Sequence, residues 1–186
     1  MSFYVVSVQP RREERFVHAA RQLTQAGEAL PAELSFYWPR RKLTIRRKGR
    51  RVETLAAVFP GYVFIDAEFI SDRTYRSLKS IPGFYRFLES NDRIRPLAGR
   101  DEEVVAHFLK FGEIIGKSTV IMDENQRIRV LHGPLEGLEG MIVKVDKRKQ
   151  RAKVRLDLYH ESFLVDFGFE LLAQETREQK VDNADS

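Results

Sequence analysis

Between Arg151 and Leu158 the chain alternates without a break: Ala152, Val154, Leu156 and Leu158 are apolar, while Arg151, Lys153, Arg155 and Asp157 are charged. A period of two marks a strand with one face buried and the other wet. Shorter runs of strand character come earlier, at Phe3-Tyr4-Val5-Val6-Ser7-Val8, at Val63-Phe64-Ile65 and at Phe36-Tyr37-Trp38, the last cut off by Pro39. The helical period appears from Arg12 to Ala26, where Phe16, Ala19, Ala20 and Leu23 fall on one face before Gly27, a suitable stop. Ser71 is placed to cap a short helix carrying Tyr75 and Leu78 and ended by Pro82-Gly83, after which Phe84 to Leu88 predicts another strand. From Asp101, the acids Glu102 and Glu103 suit a first helical turn, and Val104, Val105, Phe108 and Leu109 give a third helix its apolar face.

Residues 1–112 therefore predict an antiparallel sheet covered by helices, with Arg40 to Ala57 as two extended arms around a Lys48-Gly49-Arg50 turn that project from it. Residues 113–126, with Gly116, Lys117-Ser118 and Asp123-Glu124-Asn125, read as a linker around the apolar Val120-Ile121-Met122. Beyond it, residues 127–131, 140–145, 151–158, 162–167 and 169–172 predict five short strands, enough for a small barrel over 127–174. The polar residues 175–186 read as a disordered tail. The fold class is α+β, an N-terminal sheet with covering helices followed by a small five-stranded β-barrel.

Charge changes this picture more than composition does. The 186 residues carry a net charge of +5. Eight basic residues and no acid lie between Arg40 and Arg51, and seven basics with one acid, Asp146, lie between Lys144 and Arg155. Of 32 basic and 27 acidic residues, that leaves 17 basics against 26 acids elsewhere. The positive charge of an otherwise acidic chain sits in two blocks, the footprint expected of a surface for a polyanion. There is no cysteine, which excludes disulfides and thiolate metal sites and fits a reducing compartment. Met1-Ser2 runs directly into strand-like sequence, so neither an export signal nor a membrane span is expected, and the cytoplasm is the expected location. His18, His107, His132 and His160 lack metal or catalytic spacing, and no phosphate-binding loop or dinucleotide fingerprint occurs. No catalytic residue, metal or cofactor is expected, and the chain does not read as an enzyme.

Two motifs remain. Val130-Leu131-His132-Gly133-Pro134-Leu135-Glu136-Gly137-Leu138-Glu139-Gly140, followed by the apolar Met141 to Val145, resembles the KOW motif that opens an SH3-like barrel. Ahead of it stand Phe3-Tyr4-Val5-Val6, then Phe59-Pro60-Gly61-Tyr62-Val63-Phe64, then Ser80-Ile81-Pro82-Gly83, an order that resembles the N-terminal (NGN) domain of NusG-family transcription factors. A turn at Pro60-Gly61 does not by itself call for aromatic neighbours, and the resemblance supplies their use. It implies docking on the clamp helices of RNA polymerase through Phe3, Tyr4, Phe59, Tyr62 and Ile81, with the rings presented outward. The dense basic arm, Arg40, Arg41, Lys42, Arg46, Arg47 and Lys48, is most similar to the specialised LoaP group of operon-specific antiterminators, and it implies proximity to upstream or non-template DNA or to the polymerase surface. For the same group the resemblance implies an RNA hairpin on the barrel's basic face: Lys144, Lys147, Arg148, Lys149, Arg151, Lys153 and Arg155. The two basic blocks are thus expected to act separately. Tyr159 falls where housekeeping relatives contact ribosomal protein S10, an alternative partner. The expected function is processive antitermination by a monomer. The alternatives are a housekeeping elongation factor that binds S10 or a termination factor, and a ribosome-associated protein using its KOW barrel on rRNA.

Overall fold

The computed structural model describes residues 2–27, 29–125 and 127–172; the predicted tail lies outside them. The N-terminal sheet contains β1 (Phe3–Val8), β2 (Ser35–Tyr37), β5 (Tyr62–Asp66) and β6 (Phe84–Phe87) in the order β2-β5-β1-β6, all antiparallel. Helices α1 (Glu13–Ala26) and α2 (Asp72–Lys79) cover one face, and α3 (Gly99–Leu109) lies on the other. The strand alternation divides the side chains. Tyr4, Val6 and Val8 pack with Phe16, Val17 and Ala20 of α1 and Leu78 of α2, while Val5 and Phe64 pack with Val104, Val105 and Phe108 of α3. A sheet covered on both sides needs apolar residues at successive positions, which is why β1 and β5 read as unbroken hydrophobic runs. The predicted helix ends hold: the Gly27 N–H reaches the Thr24 carbonyl at 3.1 Å, and the Ser71 hydroxyl accepts from the Thr74 N–H at 3.1 Å.

The basic hairpin is formed by β3 (Arg40–Arg47) and β4 (Arg50–Ala57), joined at Lys48-Gly49 with φ of 50° and 77°. Two successive left-handed residues suit the right-handed twist of a two-residue hairpin. The hairpin does not project, as its sequence suggested. It lies across the C-terminal sheet, where the Arg41 Nε–H donates to the Asp166 carbonyl and an Arg151 Nη–H donates to the Thr44 carbonyl, each at 2.5 Å. Gly168 makes room for this crossing, since a Cβ there would stand 3.2 Å from the Lys42 carbonyl oxygen.

The C-terminal sheet runs β10 (Ile142–Asp146), β11 (Arg151–Leu158), β12 (Glu161–Leu171), β8 (Ser118–Met122), β9 (Ile128–His132) and curls into a half-barrel. Ala152, Val154, Leu156 and Leu158 are buried as their alternation predicts. Two strand assignments change. The strands expected at 162–167 and 169–172 merge into one long strand, β12, which ends at Leu171, because Gly168 continues the antiparallel register opposite Arg151 instead of breaking it. The fifth strand comes from the expected linker: β8 pairs parallel with β12, and just before it β7 (Ile114–Ile115) pairs parallel with β3. At the KOW loop, Gly133 has φ of 108°, and a Cβ on it would come within 2.7 Å of the Ser118 Cα, so a glycine is required there. The two sheets share one core, through Phe108 stacked on Phe167 at 5.2 Å.

Candidate functional site

The turn that holds the paired aromatics is fastened from three sides. Gly61 has φ of 82°, its carbonyl accepts from Val8 at 2.8 Å, and its N–H donates to the buried Glu13 carboxylate at 2.8 Å. A carboxylate at the start of α1 thereby ties that helix to the turn after β4, and Phe59 and Tyr62 are set in fixed positions. Their direction differs from the expected one. Phe59 is only 1% exposed, its ring edge-on to Phe64, Phe108 and Phe163 at 5.5, 6.1 and 5.7 Å. Tyr62 is half-buried, edge-on to Phe163 at 5.8 Å, and its hydroxyl donates to the Glu161 carboxylate at 2.7 Å. Burial, reinforced by the hydrogen bond and charge of Glu161, pushes the Tyr62 phenol up to about 12. Phe3 lies on the same side of the sheet, edge-on to Tyr37 at 6.3 Å.

The remaining two aromatic-motif positions face away. Tyr4 and Ile81 are buried in the core under α1 and α2, with the Tyr4 hydroxyl donating to the Glu68 carbonyl at 3.3 Å. One face therefore collects Phe3, Phe59 and Tyr62, and the start of β12 covers it with Phe163 and Glu161. Neither of those two residues stood out in the sequence. An aromatic placed three residues after the Tyr159-His160 turn, in phase with Val165, Phe167 and Phe169, was the available signal.

The basic residues divide by burial. The Arg40 guanidinium stacks over Trp38 at 4.6 Å and stands 3.9 Å from Glu14. Arg41 donates to the Asp166 and Ala57 carbonyls, and burial lowers its pKa to about 10 against the opposing pull of Asp166. Both arginines hold the fold together. Lys42, Arg47 and Lys48 are exposed on the hairpin, and Arg155 and Lys144 are exposed on the C-terminal sheet. Lys153 pairs with Asp166 across β11 and β12 at 3.3 Å. In the turn between β10 and β11, the Lys149 N–H donates to the Asp146 carboxylate at 2.9 Å, which together with the lysine's charge keeps that carboxyl below the usual range; Lys147 and Arg148 are exposed beside it.

The two basic blocks, read as separate, meet. Arg46 and Arg51 of the hairpin, Lys117, and Arg148, Lys149 and Arg151 of the C-terminal sheet line one cleft of about 610 Å³. Tyr159 and His160 form the turn between β11 and β12, with φ of 47° and 64°, and Tyr159 sits beside Glu89. His107 bonds the Pro134 carbonyl at 2.8 Å, a structural contact that anchors the KOW loop to α3. Among the described residues no group of three potential ligands could hold a metal, and no helix is long and apolar enough to cross a membrane.

Comparison with known proteins agrees with this architecture. The transcription termination/antitermination protein NusG of Borreliella burgdorferi is 24% identical over 91% of this chain and 96% of its own, and that of Buchnera aphidicola is 25% identical over 70% and 72%. A solved structure described as "Domain interaction in Thermotoga maritima NusG" shares the fold, with a TM-score of 0.56 at 20% identity over 90% of this chain and 93% of that one. The family described as "Transcription termination factor nusG" matches residues 1–107, more than half of the chain, and the protein belongs to the NusG family of transcription factors.

Proposed function

We propose that this NusG-family protein is a processive antitermination factor of the bacterial cytoplasm, acting as a non-enzymatic bridge. Residues 1–112 dock on the clamp helices of RNA polymerase through Phe3, Phe59 and Tyr62, and the KOW unit, residues 127–174, engages an RNA hairpin. One observation supports the reading most: three aromatic side chains converge on a face whose cover, Phe163 and Glu161, comes from a distant part of the chain and meets it with one aromatic ring and one carboxylate. Aromatic rings offer large contact area with few rotors to freeze, so such a face suits a protein partner once β12 lifts away. The basic residues on both units favour a specialised, RNA-directed factor over a housekeeping one.

The test is retention of purified core RNA polymerase by the full chain, with ribosomal subunits as competitor. Polymerase is expected to be retained, and Tyr62→Ala should weaken the interaction by about 2 kcal/mol, the cost of losing an interface anchor. Preference for ribosomal subunits, or unchanged polymerase binding by Tyr62→Ala, would point to a different role.

A further inference from the structure

The cleft between hairpin and half-barrel has no counterpart in a reading that treats the basic blocks separately. Its walls come from three segments far apart in sequence: the hairpin arms, with Arg46 and Arg51 as direct cross-strand partners; the β10–β11 turn, with Arg148, Lys149 and Arg151; and Lys117 at the start of β8. Like charges directly opposite on a hairpin disfavour it. Little in the cleft offsets them. Glu53 is the one acid among the lining residues, and it stands 3.7 Å from Lys117. Lys117 also stands 3.8 Å from Glu170, Lys149 pairs with Asp146 at 3.5 Å and Arg148 acts on the same carboxylate from further off, but Arg46 and Arg51 make no ion pair among the described residues. The Arg151 Nε–H is buried without an acceptor. Folding has gathered six cations here against fewer carboxylates and left the facing Arg46 and Arg51 without an ion pair.

We infer that the two basic blocks form one composite site, a cleft that takes the phosphodiester backbone of RNA in the closed chain, while the β3–β4 hairpin is docked on the C-terminal sheet and before β12 lifts from the aromatic face. The inference rests on the reading that the C-terminal sheet engages RNA, and it adds a second wall from the other half of the chain. Arginine's planar fork matches phosphate oxygens two at a time, and four of the six cations are arginines. A polymer suits the site better than a single nucleotide. A neighbouring hollow of about 160 Å³ shares Lys149 and Arg151 with the cleft and adds Lys144 and Lys153 together with Asp146 and Asp166, so a net positive surface of four cations against two carboxylates continues past the turn. Each phosphate seated there releases counterions, and a backbone that touches both walls gains from both at once.

The experiment measures binding of the full chain to a short RNA hairpin of about ten base pairs, too short to cover two separated surfaces, over a range of salt. A DNA duplex of the same sequence and polyglutamate serve as comparison ligands. Arg46→Ala/Arg51→Ala and Arg148→Ala/Lys149→Ala should each weaken RNA binding about tenfold or more and each flatten the log–log salt slope by one to two units. Gly168→Val removes no charge but intrudes on the Lys42 carbonyl and the Lys117 side chain, and it should weaken binding as the hairpin pair does. If the hairpin pair and Gly168→Val bind RNA as the natural chain does while the β10–β11 pair does not, the composite cleft is wrong and RNA binding by the C-terminal sheet alone survives. Failure of the natural chain to bind the RNA hairpin at low salt overturns both. Equal affinity for polyglutamate or for the DNA duplex overturns the assignment to RNA. Arg46, Arg51, Arg148 and Lys149 are exposed, so unchanged far-ultraviolet circular dichroism is expected to accompany the loss of affinity in both double variants.

Discussion

The two faces of the N-terminal sheet are covered in different ways. Under α1 and α2 the seal is made by elements adjacent in the chain to the strands they cover, and apart from Glu13 and Thr74 at the helix starts it is apolar: Phe16, Phe36, Ile65, Leu78 and Phe87 are all 2% exposed or less. The opposite face is shared between α3 and a strand from the far end of the chain. Its centre is aromatic, but its edge is polar, with Tyr62 on Glu161, Arg41 on the Asp166 carbonyl, Arg151 on the Thr44 carbonyl and Lys117 near Glu53 and Glu170. Contacts that are part apolar and part polar are typical of surfaces that part from one another, whereas a wholly apolar seal opens only when the domain unfolds. The first face makes the fold, and the second is the one that the proposed docking would open.

The sharpest way to break that comparison is to remove one phenylalanine from each side. Phe16→Ala should cost about 3–5 kcal/mol, the usual result of emptying an aromatic site in a closed core. Phe163, half-buried, should cost about 1–2 kcal/mol when replaced by alanine, because less of its surface leaves water. In urea denaturation the first variant should lose the whole transition early. The second should lower the stability of the C-terminal half while residues 3–109 unfold as before. Equal losses, in one shared transition, would mean that the two faces belong to a single cooperative unit.

Arg41 probes the polar edge. Its guanidinium bridges hairpin and half-barrel, donating to carbonyls of β4 and β12 and lying over the Phe167 ring at 5.9 Å. Removing it leaves the Asp166 carbonyl short of a donor, and Arg41→Ala should cost about 2 kcal/mol. Hydrogen exchange locates the effect: amides of β3 and β12 should exchange faster, while those of β1 and β5 keep their protection. Faster exchange throughout the sheet would place Arg41 within the main core instead.

What could be read from the sequence follows the same division. Elements whose pattern is local were legible: the alternation of β11, the apolar runs of β1 and β5, the caps at Gly27 and Ser71. Of the aromatic-motif positions, Phe3, Phe59 and Tyr62 share one face while Tyr4 and Ile81 lie under the helices, and this division was not legible, because Phe59 and Tyr62 flank a turn and the period cannot say which face a turn residue takes. Strand β8 was hidden because Ser118 to Met122 is short and lies between Gly116 and Asp123, so loop signals outweighed a five-residue run. Its pairing with β12, and that of β7 with β3, are parallel contacts between distant segments. No local pattern announces them. The meeting of the two basic blocks depends on those pairings and on the missing side chain at Gly168, so charge counts along the chain picked out Arg46, Arg51, Arg148, Lys149 and Arg151 but neither Lys117 nor the cleft they form.

The smallest expected effect belongs to the hydroxyl of Tyr62, and it carries its own pH signature. Tyr62→Phe keeps the ring against Phe163 and removes only the bond to Glu161, so at neutral pH it should cost about 1 kcal/mol. The phenol's pKa is raised in the folded chain, to about 12 from the ordinary 10, chiefly by burial and then by Glu161. A proton held more tightly in the folded state stabilises it fully below the unfolded value, and that contribution disappears as pH rises through the folded one. The difference in stability between the natural chain and Tyr62→Phe should therefore stay level up to about pH 10 and shrink toward zero or reverse by about pH 12. Taking the difference cancels the titration of the lysines and the other tyrosines, which both chains share. A difference that already declines between pH 7 and 9 would mean that the hydroxyl is not held by a carboxylate. In that case the cover on the aromatic face would be apolar like its counterpart under the helices, and the contrast between the two faces would narrow to one of sequence distance.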